Sequence, residues 1–171
     1  MKKFILLFYI FLLSMVVIQA SDIKKETLMI PRLDTIIGYF KLIQLQYPPH
    51  NVWYETEYQE YSVDTKTLDE IKTNLLQNTT ITIVIGTWCS DSQRETPRFV
   101  KILEYLSYDL DNTTAIGVNI KKKAEGLMLE KLNIELVPTF IFYRDGAEIG
   151  RIIETPSESL EKDLFKIIST E

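Results

Sequence analysis

Gly86-Thr87-Trp88-Cys89-Ser90-Asp91-Ser92 lies between two stretches of different period, and its reading decides the fold. Before it, Thr80 to Ile85 is a run of β-branched and apolar residues, suited to a strand buried in the middle of a sheet. After it, Phe99, Ile102, Leu103 and Leu106 recur at helical spacing, which predicts an amphipathic helix. Pro97 falls near the start of that helix, where a kink is expected. A strand that breaks into a helix at Cys89 sets the thiol at the helix N-terminus. There the unpaired N–H groups and the positive end of the helix dipole favour thiolate over thiol. Ser92, three residues on, is placed to donate a hydrogen bond to the sulfur, whereas the charge of Asp91 opposes the thiolate. The alternative reading of Cys89 is a buried core cysteine.

The same alternation of periods continues outward and predicts a layered α/β domain. Upstream, Leu68, Ile71, Leu75 and Leu76 predict a helix between Thr65 and Asn78. Downstream, Ala115 to Ile120 reads as a strand and Lys121 to Leu132 as a short helix, with Lys121-Lys122-Lys123 as its solvated start. Thr139 to Tyr143 and Ala147 to Ile153 flank Arg144-Asp145-Gly146, a hairpin signal that makes the last two strands antiparallel. Thr155-Pro156-Ser157-Glu158 combines an N-cap, a proline at the first helical position and a glutamate three residues past the cap. The helix it opens buries Leu160, Leu164, Ile167 and Ile168. The first strand–helix–strand unit is expected to be a right-handed parallel crossover.

Residues 1–20 read as a routing segment: Lys2 and Lys3 precede an apolar run from Phe4 to Ile18, followed by Ala20-Ser21. Fifteen residues suit a signal peptide better than a bilayer span, so cleavage after Ala20 is expected, with an uncleaved anchor as the alternative. The destination is then the periplasm or cell envelope, or the exterior by secretion. Without this segment the chain carries 17 basic against 24 acidic groups, a formal charge of −7, which disfavours nucleic acid and anionic membranes as partners. Residues 21–64 form an N-terminal extension. In it Trp53, Tyr54, Tyr58 and Tyr61 follow the Pro48-Pro49 break, either packing on the domain or forming an aromatic ligand cage. The only cysteine is Cys89 and the only histidine is His50, so no internal disulfide, metal site or Cys–His hydrolase pair is expected, nor any cofactor.

Trp88-Cys89 at a strand end, Pro97 eight residues after the cysteine, and Val137-Pro138-Thr139 opening a hairpin with an Asp-Gly turn together resemble the thioredoxin family. The likeness covers roughly Thr65 to Glu171, and it is nearer to exported bacterial thioredoxin-like proteins with a Trp-Cys-x-Asp-Ser motif. The resemblance implies a thioredoxin fold over residues 65–171, a central mixed β-sheet flanked by helices. It also implies that Cys89 attacks disulfides and that Pro138 is cis and lies beside Cys89. By the same resemblance, the backbone of Val137 pairs with an extended substrate and Trp88 shapes the docking surface. Trp88 can equally be read as one more core aromatic.

Three positions depart from the family. Ser92 replaces the resolving cysteine, Ile83 replaces a buried aspartate six residues before the first cysteine, and Glu154 replaces a glycine eight residues after the hairpin glycine. Asp91 and Glu154 give the site an acidic rim, read either as selecting basic partners or as a solvated surface. The expected activity is monothiol exchange with protein or small-molecule disulfides, released by an external reducing thiol. A binding module without redox turnover is the alternative. Thiol peroxidase is less favoured, because peroxiredoxins keep a threonine three residues before the cysteine and Thr87 is only two before it.

Overall fold

The structure is a computed structural model that describes residues 35–71, 76 and 78–170. The routing segment 1–20 and Leu75 of the first expected helix lie outside the described residues. Within them the strands are β1 (Gly38–Phe40), β2 (Thr79–Ile85), β3 (Thr113–Gly117), β4 (Thr139–Arg144) and β5 (Ala147–Ile153). The α-helices are α1 (Asn51–Glu60), α2 (Thr65–Asp69), α3 (Ser90–Tyr105) and α4 (Leu160–Ile168). Among the described residues no helix is long and apolar enough to cross a membrane.

The β-branched run becomes the central strand. β2 pairs in parallel with β3 on one side and antiparallel with β4 on the other, and the sheet order is β1-β3-β2-β4-β5. Strand alternation then sends neighbouring side chains to opposite faces. Ile81, Ile83 and Ile85 enter the larger core, together with Phe140 and Phe142 of β4 and the buried side chains of all four helices. Val84 enters a smaller core with Ile116, Val118, Ala124, Leu129 and Val137, against which Trp88 and Cys89 pack. A parallel β2–β3 pair joined through α3, a terminal β4–β5 hairpin and a closing helix make this a thioredoxin fold.

The hairpin forms as expected. Asp145 and Gly146 both have positive φ, 51° and 78°, the two-residue turn whose twist matches antiparallel strands. The register slips between Phe142 and Tyr143, leaving Ile149 without a partner in β4. α3 runs through Pro97 without interruption and buries Phe99, Val100, Ile102 and Leu103.

Three local expectations are corrected. Residues 121–132 are not an α-helix: only Leu129–Leu132 makes a 3-10 turn. The Asn119 carboxamide accepts the N–H groups of Lys121 (2.9 Å) and Lys123 (3.1 Å), and Lys122 and Gly126 take positive φ, which closes the chain into turns. The strand expected over Ala115–Ile120 runs from Thr113 to Gly117. The closing helix is capped by Ser159 and not by Thr155; Ser159 accepts the Lys162 N–H at 3.2 Å. The Asp163 carboxylate accepts the Ser157 N–H at 2.5 Å, which holds the segment before the cap out of the helix.

Residues 35–64 are built into the domain. β1 pairs antiparallel with β3 through Gly38–Gly117, Tyr39–Ile116 and Phe40–Ala115. α1 lies against α3 with Tyr54 buried, and Glu57 pairs with Arg98 at 2.6 Å. Tyr58 donates to Glu104, and Lys101 donates to the carbonyls of Tyr58 (2.6 Å) and Tyr61 (2.7 Å). The four aromatics thus pack on the domain: Tyr54 and Tyr58 are stacked at 6.0 Å, and Arg98 lies over the Tyr61 ring. Buried Glu161 of α4 accepts from the Tyr61 hydroxyl (2.7 Å) and from the Asp64 N–H (3.1 Å). Burial beside this carboxylate pushes the Tyr61 phenol well above its ordinary value.

Candidate active site at the N-terminus of the third helix

β2 ends in a tight turn that delivers Cys89 to the start of α3. Cys89 is the N-cap, in extended conformation (φ −94°, ψ 126°); its N–H donates to the Gly86 carbonyl at 2.8 Å, and its own carbonyl accepts the Gln93 N–H at 3.0 Å. Gln93 reaches back to the Thr87 carbonyl at 2.7 Å, and the Thr87 hydroxyl accepts the Ile36 N–H at 3.3 Å. The turn is therefore braced from both flanks. Gly86 is required by its neighbour: a Cβ there would stand 2.5 Å from the Trp88 indole. Trp88 donates from Nε1 to the Val118 carbonyl at 2.8 Å. It packs against the smaller core and is the chain neighbour of the half-buried thiol.

The Val137–Pro138 peptide bond is cis, as is Pro48–Pro49. The loop carrying it meets the thiol: Cys89 Sγ donates to the Val137 carbonyl at 3.3 Å, while the nearer Asp91 oxygen is 4.0 Å away. Val137 and Pro138 are buried, and Leu136 before them is 41% exposed. The structure thus brings together Trp88, Cys89, Val137 and Pro138, four residues separated by nearly fifty positions in sequence.

Ser92 is placed differently from the expectation. Ser92 is 1% exposed, and its hydroxyl accepts the Gly86 N–H at 3.2 Å; its hydrogen bond is to the turn, not to the sulfur. Gly86 follows the last β2 residue, so its amide has left the ladder and needs a partner, and Ser92 supplies it. Asp91 is paired with Arg94 at 2.7 Å, and Arg94 also holds buried Glu95 at 2.6 Å. These two acids, Glu95 foremost, push the Arg94 guanidinium further up against its partial loss of solvent. Ile83, where the family keeps its aspartate, is fully buried.

Glu154 is the residue whose setting the sequence concealed. Its N–H donates to the Pro138 carbonyl at 2.7 Å, and its φ is +61°, in the left-handed region. Glycine in the related position of the family is the signal that could have found this backbone conformation. A cavity of 730 Å³ opens along the segment 119–135, between Lys122, Leu127, Glu130 and Ile134, but neither Cys89, Trp88 nor Val137 lines it. The half-buried thiol lies outside that cavity.

No family model and no curated protein matches this sequence. Among solved structures, it is similar to a protein of unknown function, PA1234 from Pseudomonas aeruginosa, at 14% identity and TM-score 0.49, covering 72% of this chain and 84% of that one. It is similar to oxidised thioredoxin O2 from Arabidopsis thaliana at 20% identity and TM-score 0.34, covering 52% and 72%. It is also similar to oxidised mitochondrial thioredoxin 3 from Saccharomyces cerevisiae at 20% identity and TM-score 0.36, covering 56% and 94%.

Proposed function

We propose that this protein is a monothiol thiol–disulfide exchange protein acting through Cys89 on disulfides outside the cytoplasm. The observation that carries the reading is the half-buried Cys89 sulfur at the N-cap of α3, 3.3 Å from the carbonyl that precedes cis-Pro138. The Cys89 thiolate attacks one sulfur of a disulfide; the S–S bond breaks, a Cys89–substrate disulfide forms, and the other sulfur leaves as a thiolate. A second thiolate, from a small thiol or from another cysteine of the substrate, then attacks the adduct and returns Cys89. Trp88 and exposed Leu136, which leads into the buried Val137–Pro138 pair, form the surface on which the substrate chain lies. Ser92 holds the turn and offers no sulfur, so the first adduct has no internal route of release. Export follows from the Lys2–Ala20 pattern.

A binding module without turnover is the second reading, favoured by Ser92, whose hydroxyl accepts the Gly86 N–H and makes no hydrogen bond to the sulfur. Incubation with a disulfide-bonded protein, followed by a non-reducing gel, separates the two. Exchange predicts an adduct that accumulates, is cleared by added small thiol and is missing in Cys89→Ser. Client capture that is unchanged in Cys89→Ser, with no adduct in the wild type, establishes the binding module instead.

A further inference from the structure

Two acidic residues belong to the segments that meet at the thiol, Asp91 beside Cys89 in the chain and Glu154 through its backbone bond to Pro138, and their situations differ. Asp91 is ion-paired with Arg94 at 2.7 Å. Glu154 is tied to the cis-proline loop through its own N–H on the Pro138 carbonyl, and among the described residues its carboxylate makes no hydrogen bond or ion pair. The half-exposed Glu154 is thus the uncompensated charge next to Val137-Pro138. Its backbone sits at φ +61°, which disfavours a residue with a Cβ and suits glycine or asparagine. Local backbone preference therefore does not account for a glutamate there, and a residue kept in a disfavoured conformation beside a reactive group points to use. Its chain neighbour Ile153 and Leu136, which precedes Val137, are 40% and 41% exposed and offer apolar surface for a peptide whose cation meets the carboxylate.

We infer that Glu154 is a specificity-determining residue that selects disulfides flanked by lysine or arginine. This rests on the exchange reading and names the substrate class of the same site. The charge acts on encounter and on holding the substrate chain at the Pro138 loop; the bonds made and broken remain those of the exchange itself.

The test uses two peptides of equal length, each with one cysteine activated as a mixed disulfide with thionitrobenzoate, one with arginine and one with glutamate beside the cysteine. Attack by Cys89 forms the Cys89–peptide disulfide and releases thionitrobenzoate, whose absorbance reports the rate. The wild type should prefer the arginine peptide by about two- to fivefold, the range expected of one partly exposed ion pair. The preference should shrink as salt is added. Glu154→Gln keeps the side-chain volume and should bring the ratio close to one; Glu154→Lys should invert it. Equal rates for the two peptides in the wild type, or a ratio unmoved in Glu154→Gln, overturn the selectivity while leaving exchange intact. Absence of reaction with either peptide, while Cys89 is freely alkylated, removes the exchange reading and the selectivity with it.

Discussion

At the scale of single residues, Ser92 shows how a site residue can be identified in sequence and assigned the wrong partner. Its position one turn into the helix from Cys89 suggests a bond donated to the sulfur, but the bond it makes is as acceptor of the Gly86 N–H, released where β2 ends. Ser92→Ala leaves that buried N–H without a partner and is expected to cost about 1–3 kcal/mol. Urea unfolding measures it, and Cys89 alkylation should proceed at an unchanged rate. A slower alkylation with unchanged stability would return Ser92 to the sulfur. The meeting of Cys89 with Val137-Pro138 was legible only through the resemblance to thioredoxins; in the structure it follows from the end of β2 lying beside the start of β4. Glu154 was legible as a substitution, but its left-handed backbone and its bond to Pro138 were not, since both depend on how β5 leaves the sheet.

At the scale of elements, what sequence displayed depended on whether local signals agreed. Asp145-Gly146 had no competitor and gave the hairpin. The segment 121–132 has helical spacing, but Asn119 offers two backbone amides a turn and Gly126 supplies another, so the helix is lost. The connection from α3 to β3 depends on Tyr108, whose hydroxyl donates to the carbonyls of Thr79 (2.6 Å) and Asn112 (3.3 Å), joining the end of one crossover arm to the start of β2. Burial, with Asp109 adding to it, pushes this phenol up to about 12. A raised folded value means the neutral form is the one the fold stabilises. The contribution is complete below about pH 10, the value of an unfolded tyrosine, and is lost as pH rises through about 12. Tyr58, raised to about 12 mainly by its bond to Glu104, adds to the same decline. Tyr108→Phe should therefore be less stable than the wild type at pH 8 by about 1 kcal/mol and should lose stability less steeply above pH 10. Denaturant midpoints across pH 8 to 11.5 check this; parallel curves would show that Tyr108 does not titrate with unfolding.

At the scale of the molecule, the segment 35–64 belongs energetically to the domain that follows it. Leu42, Leu45 and Tyr54 are buried in the larger core, and at about 1.5–3 kcal/mol each they represent about 5–9 kcal/mol. That is comparable to the whole stability of a domain, about 5–15 kcal/mol. A chain begun at Thr65 should show no cooperative thermal transition, whereas one begun at Ser21 should melt as a unit by circular dichroism. A sharp transition for residues 65–171 alone would show the early segment to be dispensable. Packing on the domain was one of the two readings that the aromatic spacing of this segment allowed, but β1 was hidden, because three residues are too few to display an alternation. The bond from Tyr61 to Glu161 has a consequence for the order in which the chain matures. It joins positions one hundred residues apart, and the second of them lies in the last helix. During synthesis the larger core has no α4 to close it until residues 160–168 have left the ribosome, and closing so long a loop is slow. Nascent chains stalled before Leu160 should thus stay open to proteases and to the machinery that threads unfolded polypeptides, and the emergence of residues 160–168 should set the moment at which the molecule locks.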